Sequence, residues 1–192
     1  MNPYILLAKQ AIETYIKGGK IIEPPKDLPN DFFQQKAGTF VTIEKDRNLR
    51  GCIGTYLPTR ENIAKEIIQN AIAAATEDWR FGPIKKEELS ELSYTVYVLN
   101  PPELVKDISE LDPKKFGIIV KTMPISDQKS ADVMFNGHLP LKSGLLLPDL
   151  KGVDTIEQQI WIACQKGGIN PEKEHIVIYK FTVEKYIENG SQ

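Results

Sequence analysis

The segment Leu49-Arg50-Gly51-Cys52-Ile53-Gly54-Thr55 constrains the fold more than any other stretch of the chain. Two glycines lie inside what otherwise reads as a strand, and glycine in a strand marks a bulge or a close backbone approach. The residues before it, Gly38 to Lys45, alternate as a strand with Phe40-Val41-Thr42-Ile43 at the centre. Asp46-Arg47-Asn48 supplies a turn between the two, so they pair as a hairpin. The alanine-rich helix that follows, with Ile63, Ile67, Ala71 and Ala74 at helical spacing, must pack back across that hairpin. Thr59 reads as its cap and Glu61 falls in its first turn.

In an extended strand Arg50, Cys52 and Gly54 share one face, and Leu49, Ile53 and Thr55 take the other as core contacts. A glycine bulge would break this alternation. Cys52 beside the fixed charge of Arg50 is a candidate catalytic thiol, because a nearby cation favours thiolate. Gly51 and Gly54 would open backbone N–H groups to a ligand. A single cysteine in a strand equally reads as a small buried hydrophobe.

The alanine-rich helix ends in Asp78-Trp79-Arg80-Phe81-Gly82-Pro83, an acid, an indole and a guanidinium ahead of a glycine-proline break. Arg80 can join Arg50 in holding a carboxylate or phosphate, with Trp79 or Phe81 as a stacking wall. The competing reading pairs Asp78 with an arginine and lets the aromatics close the core.

Elsewhere a first helix runs from Pro3 to about Lys17, with Asn2 as its cap, Pro3 at its first position and Gly18-Gly19 as its stop. A proline-rich strap from Pro24 to Pro29 follows. Glu87 to Leu92 is a short helix, and Tyr94 to Leu99 is a central strand, apolar on both faces. A helical turn near Ile108 to Leu111, a strand Gly117 to Lys121 and an excursion from Met123 to Leu141 follow. A leucine-rich strand, Gly144 to Asp149, comes next. Asp154 and Glu157 read as a capping pair for the last helix, with Ile156, Ile160, Trp161 and Cys164 on its apolar side. The final strand is Ile176 to Val183, beside the central ones.

At 192 residues the chain suits a single domain, with residues 103–150 as a smaller lobe. Its net charge of −2, with Lys and Arg spread along the sequence, argues against nucleic acid as a partner. Two cysteines, Cys52 and Cys164, suit a reducing compartment. No apolar run approaches a membrane span, and the start lacks a basic leader, so the expected location is cytoplasmic and no membrane is involved. No CxxC or HxxxH spacing points to a metal, and no GxGxxG, P-loop or GxSxG names a cofactor or a nucleophile elbow, which leaves the cofactor unknown.

The string LRGCIG, the alanine-rich helix ending in Asp78-Trp79-Arg80-Phe81, the Gly144-Leu145-Leu146-Leu147-Pro148 stretch and Lys166-Gly167-Gly168-Ile169 together resemble the AMMECR domain family. Bacterial and archaeal members are labelled AmmeMemoRadiSam system protein A. The matches run from about Gly38 to Phe181. The resemblance implies an α+β fold, a largely antiparallel sheet flanked by helices, and cytosolic or nuclear residence. It also implies association with Memo-like and radical-SAM proteins in a modification system, and it assigns no activity. Relatives usually carry a Gly-His-Gly-like turn where this chain has Lys115-Phe116-Gly117. His138, in Asn136-Gly137-His138, is at best a displaced substitute and the lesser catalytic candidate.

Two functional readings follow. One is a site around LRGCIG for an anionic small molecule or protein group, held by Arg50, Gly51, Gly54, Asp78, Trp79, Arg80 and Phe81, with Cys52 as an enzyme-like thiol. The other is a non-catalytic interaction domain with LRGCIG as a rigid recognition surface.

Overall fold

The computed structural model describes residues 2–123 and 141–188. In chain order the elements are α1 (Pro3–Gly18), α2 (Asp31–Gln34), β1 (Thr39–Lys45), β2 (Asn48–Gly54), α3 (Ile63–Thr76), β3 (Leu92–Leu99), β4 (Glu103–Leu104), β5 (Gly117–Thr122), β6 (Ser143–Leu146), α4 (Ile156–Gly167), β7 (Ile176–Phe181) and β8 (Val183–Ile187). Short 3₁₀ segments lie at Lys86–Glu91 and Ile108–Glu110. The fold is α+β, with two four-stranded sheets of order β2-β1-β3-β8 and β4-β7-β5-β6. Two compact units result, Met1–Asn100 with Glu184–Gln192, and Pro101–Val183. Among the described residues no helix is long and apolar enough to cross a membrane.

The first unit buries α1 and α3 against the first sheet. Asn2 accepts the Tyr4 N–H at 3.0 Å, Pro3 opens α1, and Gly19 closes it in the left-handed region at φ 68°. Ile5, Ala8 and Ile12 of α1 meet Ile67, Ala71 and Ala74 of α3, with Val41 and Ile43 of β1 and Tyr94 and Val96 of β3 beneath. Each large aliphatic side chain buried here contributes about 1.5–3 kcal/mol. The cap of α3 is Asn62, whose Oδ1 accepts the Lys65 N–H at 3.0 Å; Thr59, the expected cap, bonds elsewhere. β3 is interior, between β1 and β8.

The β1–β2 hairpin turns on two residues, with Lys45 opposite Asn48. Asp46 and Arg47 both sit at positive φ, 51° and 62°, the backbone of a type I′ turn. Neither is glycine, so the turn carries strain. Arg47→Gly should raise stability by about 0.5 kcal/mol, the strain relief less the entropy of glycine. Chemical denaturation at neutral pH checks this, and a lowered midpoint would contradict it.

In the second unit α4 lies on the β4-β7-β5-β6 sheet, with Ile118, Val120, Leu146, Ala163, Cys164 and Ile178 in the core. Two sequence motifs far apart meet here. A Cβ on Gly144 would fall 1.8 Å from the Ala163 carbonyl oxygen, and one on Gly167 would fall 2.8 Å from the Gly144 nitrogen. Backbone touches backbone, which only glycine permits. The cap of α4 is a Thr155–Gln158 box, each side chain bonded to the other's N–H at 3.2 Å. The expected pair was Asp154 with Glu157; Asp154 instead reaches Lys114 at 2.8 Å. Trp161, expected on the apolar side, is 61% exposed. The expected last strand is two strands, β7 beside β5 in this unit and β8 beside β3 in the other sheet, separated at Thr182.

Candidate functional site

β2 is the edge of its sheet, and its register decides where the heptad points. Val41 faces Ile53, Thr42 faces Cys52 and Ile43 faces Gly51, but Glu44 then faces Leu49. Arg50 is therefore the extra residue of a β-bulge. On the helix side, Gly51 and Ile53 lie beneath α3: a Cβ on Gly51 would sit 2.3 Å from the Ala74 carbonyl oxygen. A Cβ on Gly54 would sit 2.3 Å from the Thr39 oxygen. Neither glycine has positive φ, so close approach alone requires them. Beyond the bulge the alternation inverts. Leu49, expected as a core contact, is 43% exposed.

The bulge sends the Arg50 side chain to the loop beyond α3. Its Nε and Nη2 donate to the two carboxylate oxygens of Glu88 at 2.9 and 3.0 Å, while Nη1 reaches the Gly82 carbonyl at 3.0 Å and Nη2 the Pro83 carbonyl at 3.2 Å. Glu88 also accepts the Lys85 N–H at 2.9 Å. The bidentate Arg50 contact is the main reason its carboxyl falls from 4.5 to about 2, with burial opposing the shift.

A second arginine–carboxylate pair closes the strand edge. Cys52 turns its amide away from β1 and donates its N–H to Asp78 Oδ2 at 2.8 Å. Arg80 Nη2 donates to the same Oδ2 at 2.7 Å and reaches the Cys52 carbonyl at 3.5 Å; its Nε bonds Oδ1 at 2.9 Å. Asp78 and Arg80 thus meet both polar groups of the Cys52 backbone, as a neighbouring strand would, and blunt an open edge. Asp78 is buried, yet its carboxyl is held at about 2, first by Arg80 and then, against burial, by the N–H groups of Cys52 and Arg80.

These contacts bring Arg50, Cys52, Asp78 and Arg80 together around one turn. Trp79, at the tip of that turn, is 90% exposed, and Phe81 is partly exposed with the Arg80 guanidinium 5.1 Å from its ring centroid. Cys52 is half-buried, and the Thr42 hydroxyl donates to its Sγ at 3.2 Å. Cys164 is fully buried in the other unit, and burial pushes its thiol up. Iodoacetamide should therefore alkylate Cys52 about tenfold or more faster than Cys164 in the native protein. Peptide mapping after brief labelling reads this directly, and equal rates would remove the reactive-thiol reading. His138 lies outside the described residues. Among the described residues no three His, Cys, Asp or Glu side chains gather as a metal site.

Sequence reasoning missed the polar layer under the C-terminal end of β2. Glu66 is buried, and its Oε1 accepts the hydroxyls of Thr55 at 2.6 Å and Thr59 at 2.9 Å. Its Oε2 accepts the N–H groups of Thr59 at 2.8 Å and Arg60 at 2.6 Å. One turn on, buried Asn70 donates to the Thr39 carbonyl at 3.0 Å and hydroxyl at 2.9 Å. A signal for both was present. Glu66 and Asn70 fall on the same helical stripe as Ile63, Ile67 and Ala74, where a polar residue must find buried partners.

Residues 5–186 match the family profile described as AMMECR1. A protein of Thermotoga maritima is 49% identical over 186 residues, covering 96% of this chain and 97% of its own. A longer protein of Clostridium acetobutylicum is 39% identical over 98% of this chain, which spans only 36% of that relative. The crystal structure of an uncharacterised protein of Pyrococcus horikoshii superposes with a TM-score of 0.80 at 35% identity, covering 97% of this chain and 90% of that one. The chain belongs to the AMMECR1 family, whose biochemical activity is not established.

Proposed function

We propose that the chain is a recognition module that holds an anionic group, of a small molecule or of a partner protein, at the Trp79–Arg80–Phe81 turn. The observation that carries this is an indole 90% exposed on a turn whose base, Asp78, is buried and bonded on both oxygens. A large aromatic presented on a fixed turn binds without a further ordering cost, and aromatic and arginine side chains dominate binding energy at recognition surfaces. Arg80 uses Nε and Nη2 inward, while its Nη1 has no partner among the described residues, so two N–H donors face outward beside the Phe81 ring. Arg50 spends its donors on Glu88 and two carbonyls and acts as a positioning residue. Gly51 and Gly54 fix the strand beneath by their close packing. Memo-like and radical-SAM proteins of a cytoplasmic modification system are the partner class that the family resemblance implies for such a group.

A second reading, an enzyme-like thiol, is favoured by one contact: the Thr42 hydroxyl donates to Cys52 Sγ, which stabilises thiolate. One experiment addresses both. The chain has two tryptophans, so Trp161→Phe leaves Trp79 as the reporter. Titration with citrate and with phosphate should give a saturable change in its fluorescence, lost in Arg80→Gln. The same anions should slow iodoacetamide labelling of Cys52. No saturable change up to high millimolar anion would exclude the anion site, and unchanged labelling would separate the thiol from it.

A further inference from the structure

The second unit carries an incomplete sheet edge. β7 pairs with β5 along its whole length, Ile176 to Phe181. On its other side β4 covers only Tyr179 and Lys180, and one further bond follows, Val105 N–H to the Ile178 carbonyl at 2.9 Å. The chain then leaves the strand line at Lys106 for the 3₁₀ turn Ile108–Glu110. The orientation of the uncovered residues is fixed by the pairing on the β5 side. Thr122, opposite Ile176, gives its N–H to Lys142 rather than to β7. In an antiparallel ladder this makes Ile176 and Thr122 a pair without mutual hydrogen bonds, so the Ile176 N–H and C=O point outward. Neither has a partner among the described residues, nor has the Ile178 N–H.

A cavity of about 300 Å³ occupies the place where β4 would have continued, lined by Val105, Lys106, Ile108, Ile176, Val177 and Ile178. Leu104 and Ile108, on its flank, are 50% and 57% exposed. Lys106 is exposed, and its ammonium makes no ion pair among the described residues. Outward backbone donors and acceptors select an extended chain, the apolar walls select aliphatic side chains at alternate positions, and the lone cation selects a carboxylate.

We propose that this edge receives an extended peptide strand of a partner, aliphatic at alternate positions and bearing one carboxylate that meets Lys106. The strand continues the line of β4 and pairs with Ile176 and Ile178.

The test uses the full chain and an end-blocked synthetic pentapeptide of alternating valine and threonine with one glutamate. Hydrogen exchange followed by NMR should show the Ile176 and Ile178 amides slowing about tenfold on saturation. Lys106→Glu should weaken binding about threefold, and a peptide carrying lysine in place of glutamate should regain it on that variant. A backbone N-methylated peptide should not bind. Equal binding by the N-methylated peptide would reduce the site to a greasy cavity and overturn strand addition. Protection of the Ile176 amide in the peptide-free protein at low concentration would show the edge already covered. Protection that rises with protein concentration would make the occupant a second copy of this chain. Unchanged amides throughout would likewise overturn the proposal.

Discussion

Gly51→Val should destabilise the protein by about 3 kcal/mol or more, which for a chain of this size lowers the melting temperature by about 10 °C. The added Cβ would lie 2.3 Å from the Ala74 carbonyl oxygen, a backbone atom of α3 that no rotamer change can move. Relief requires α3 to lift from the sheet, and α3 carries Ile67, Ala71 and Ala74 of the core together with the base of the Asp78 turn. Gly54→Val should behave similarly, since its Cβ would meet the Thr39 oxygen at 2.3 Å. Gly18→Ala is the contrast: nothing lies within 4 Å of its Cβ and it ends a helix, so the change should be neutral or slightly stabilising. Thermal unfolding of the three variants decides the matter. A Gly51→Val midpoint equal to that of Gly18→Ala would show that the helix does not bear on the strand.

The glycines were legible in the sequence because their meaning is local: two glycines in a strand before an alanine-rich helix imply close approach. The caps of α1 were legible for the same reason, since Asn2 and Gly19 each bond within four residues of their own position, to Tyr4 at one end and Tyr15 at the other. The glycines also signalled a bulge, but its place at Arg50 was not legible, because it is settled by Glu88, Gly82 and Pro83, more than thirty residues away. With it went the orientation of Leu49. Pairing across the sheets was also beyond reach. β4 is two residues long, and β7 and β8 read as one strand although they join different sheets.

The candidate site divides along the same line. Asp78 beside Arg80 could be read as an ion pair from adjacency, and that pair forms. What adjacency cannot give is its second task, holding both backbone groups of Cys52 on the open edge of β2. This joins the two conspicuous motifs of the chain: the turn after α3 supplies in side chains the strand that β2 lacks. The arrangement also explains how a turn with Trp79 exposed can be held firmly, because each arginine that ties it down is matched to its own carboxylate.

Acid should therefore loosen this region before the rest of the fold. Asp78 and Glu88 titrate at about 2 in the folded chain, below their ordinary 3.8 and 4.5. A carboxyl whose folded value is depressed contributes stability that is complete above its unfolded value. That contribution is lost as pH falls through the folded value. The window runs from 4.5 down to about 2. After allowing for solvent around the pairs, each carboxylate contributes up to about 2 kcal/mol at neutral pH, so the two together contribute up to about 4. Urea unfolding at neutral pH and at pH near 3 should show about half of this loss in the parent chain, because both carboxyls remain largely ionised in the folded chain at that pH. The double variant Asp78→Asn with Glu88→Gln should start lower and change much less between the same two conditions. The local readout is Trp79 in the Trp161→Phe background, whose anisotropy should fall with acid before the global transition as the turn gains freedom. Parallel pH profiles for the parent and the double variant would show that the two pairs are satisfied equally well in the unfolded chain, and the turn would then owe its order to Pro83 and the packing of Ile84 instead.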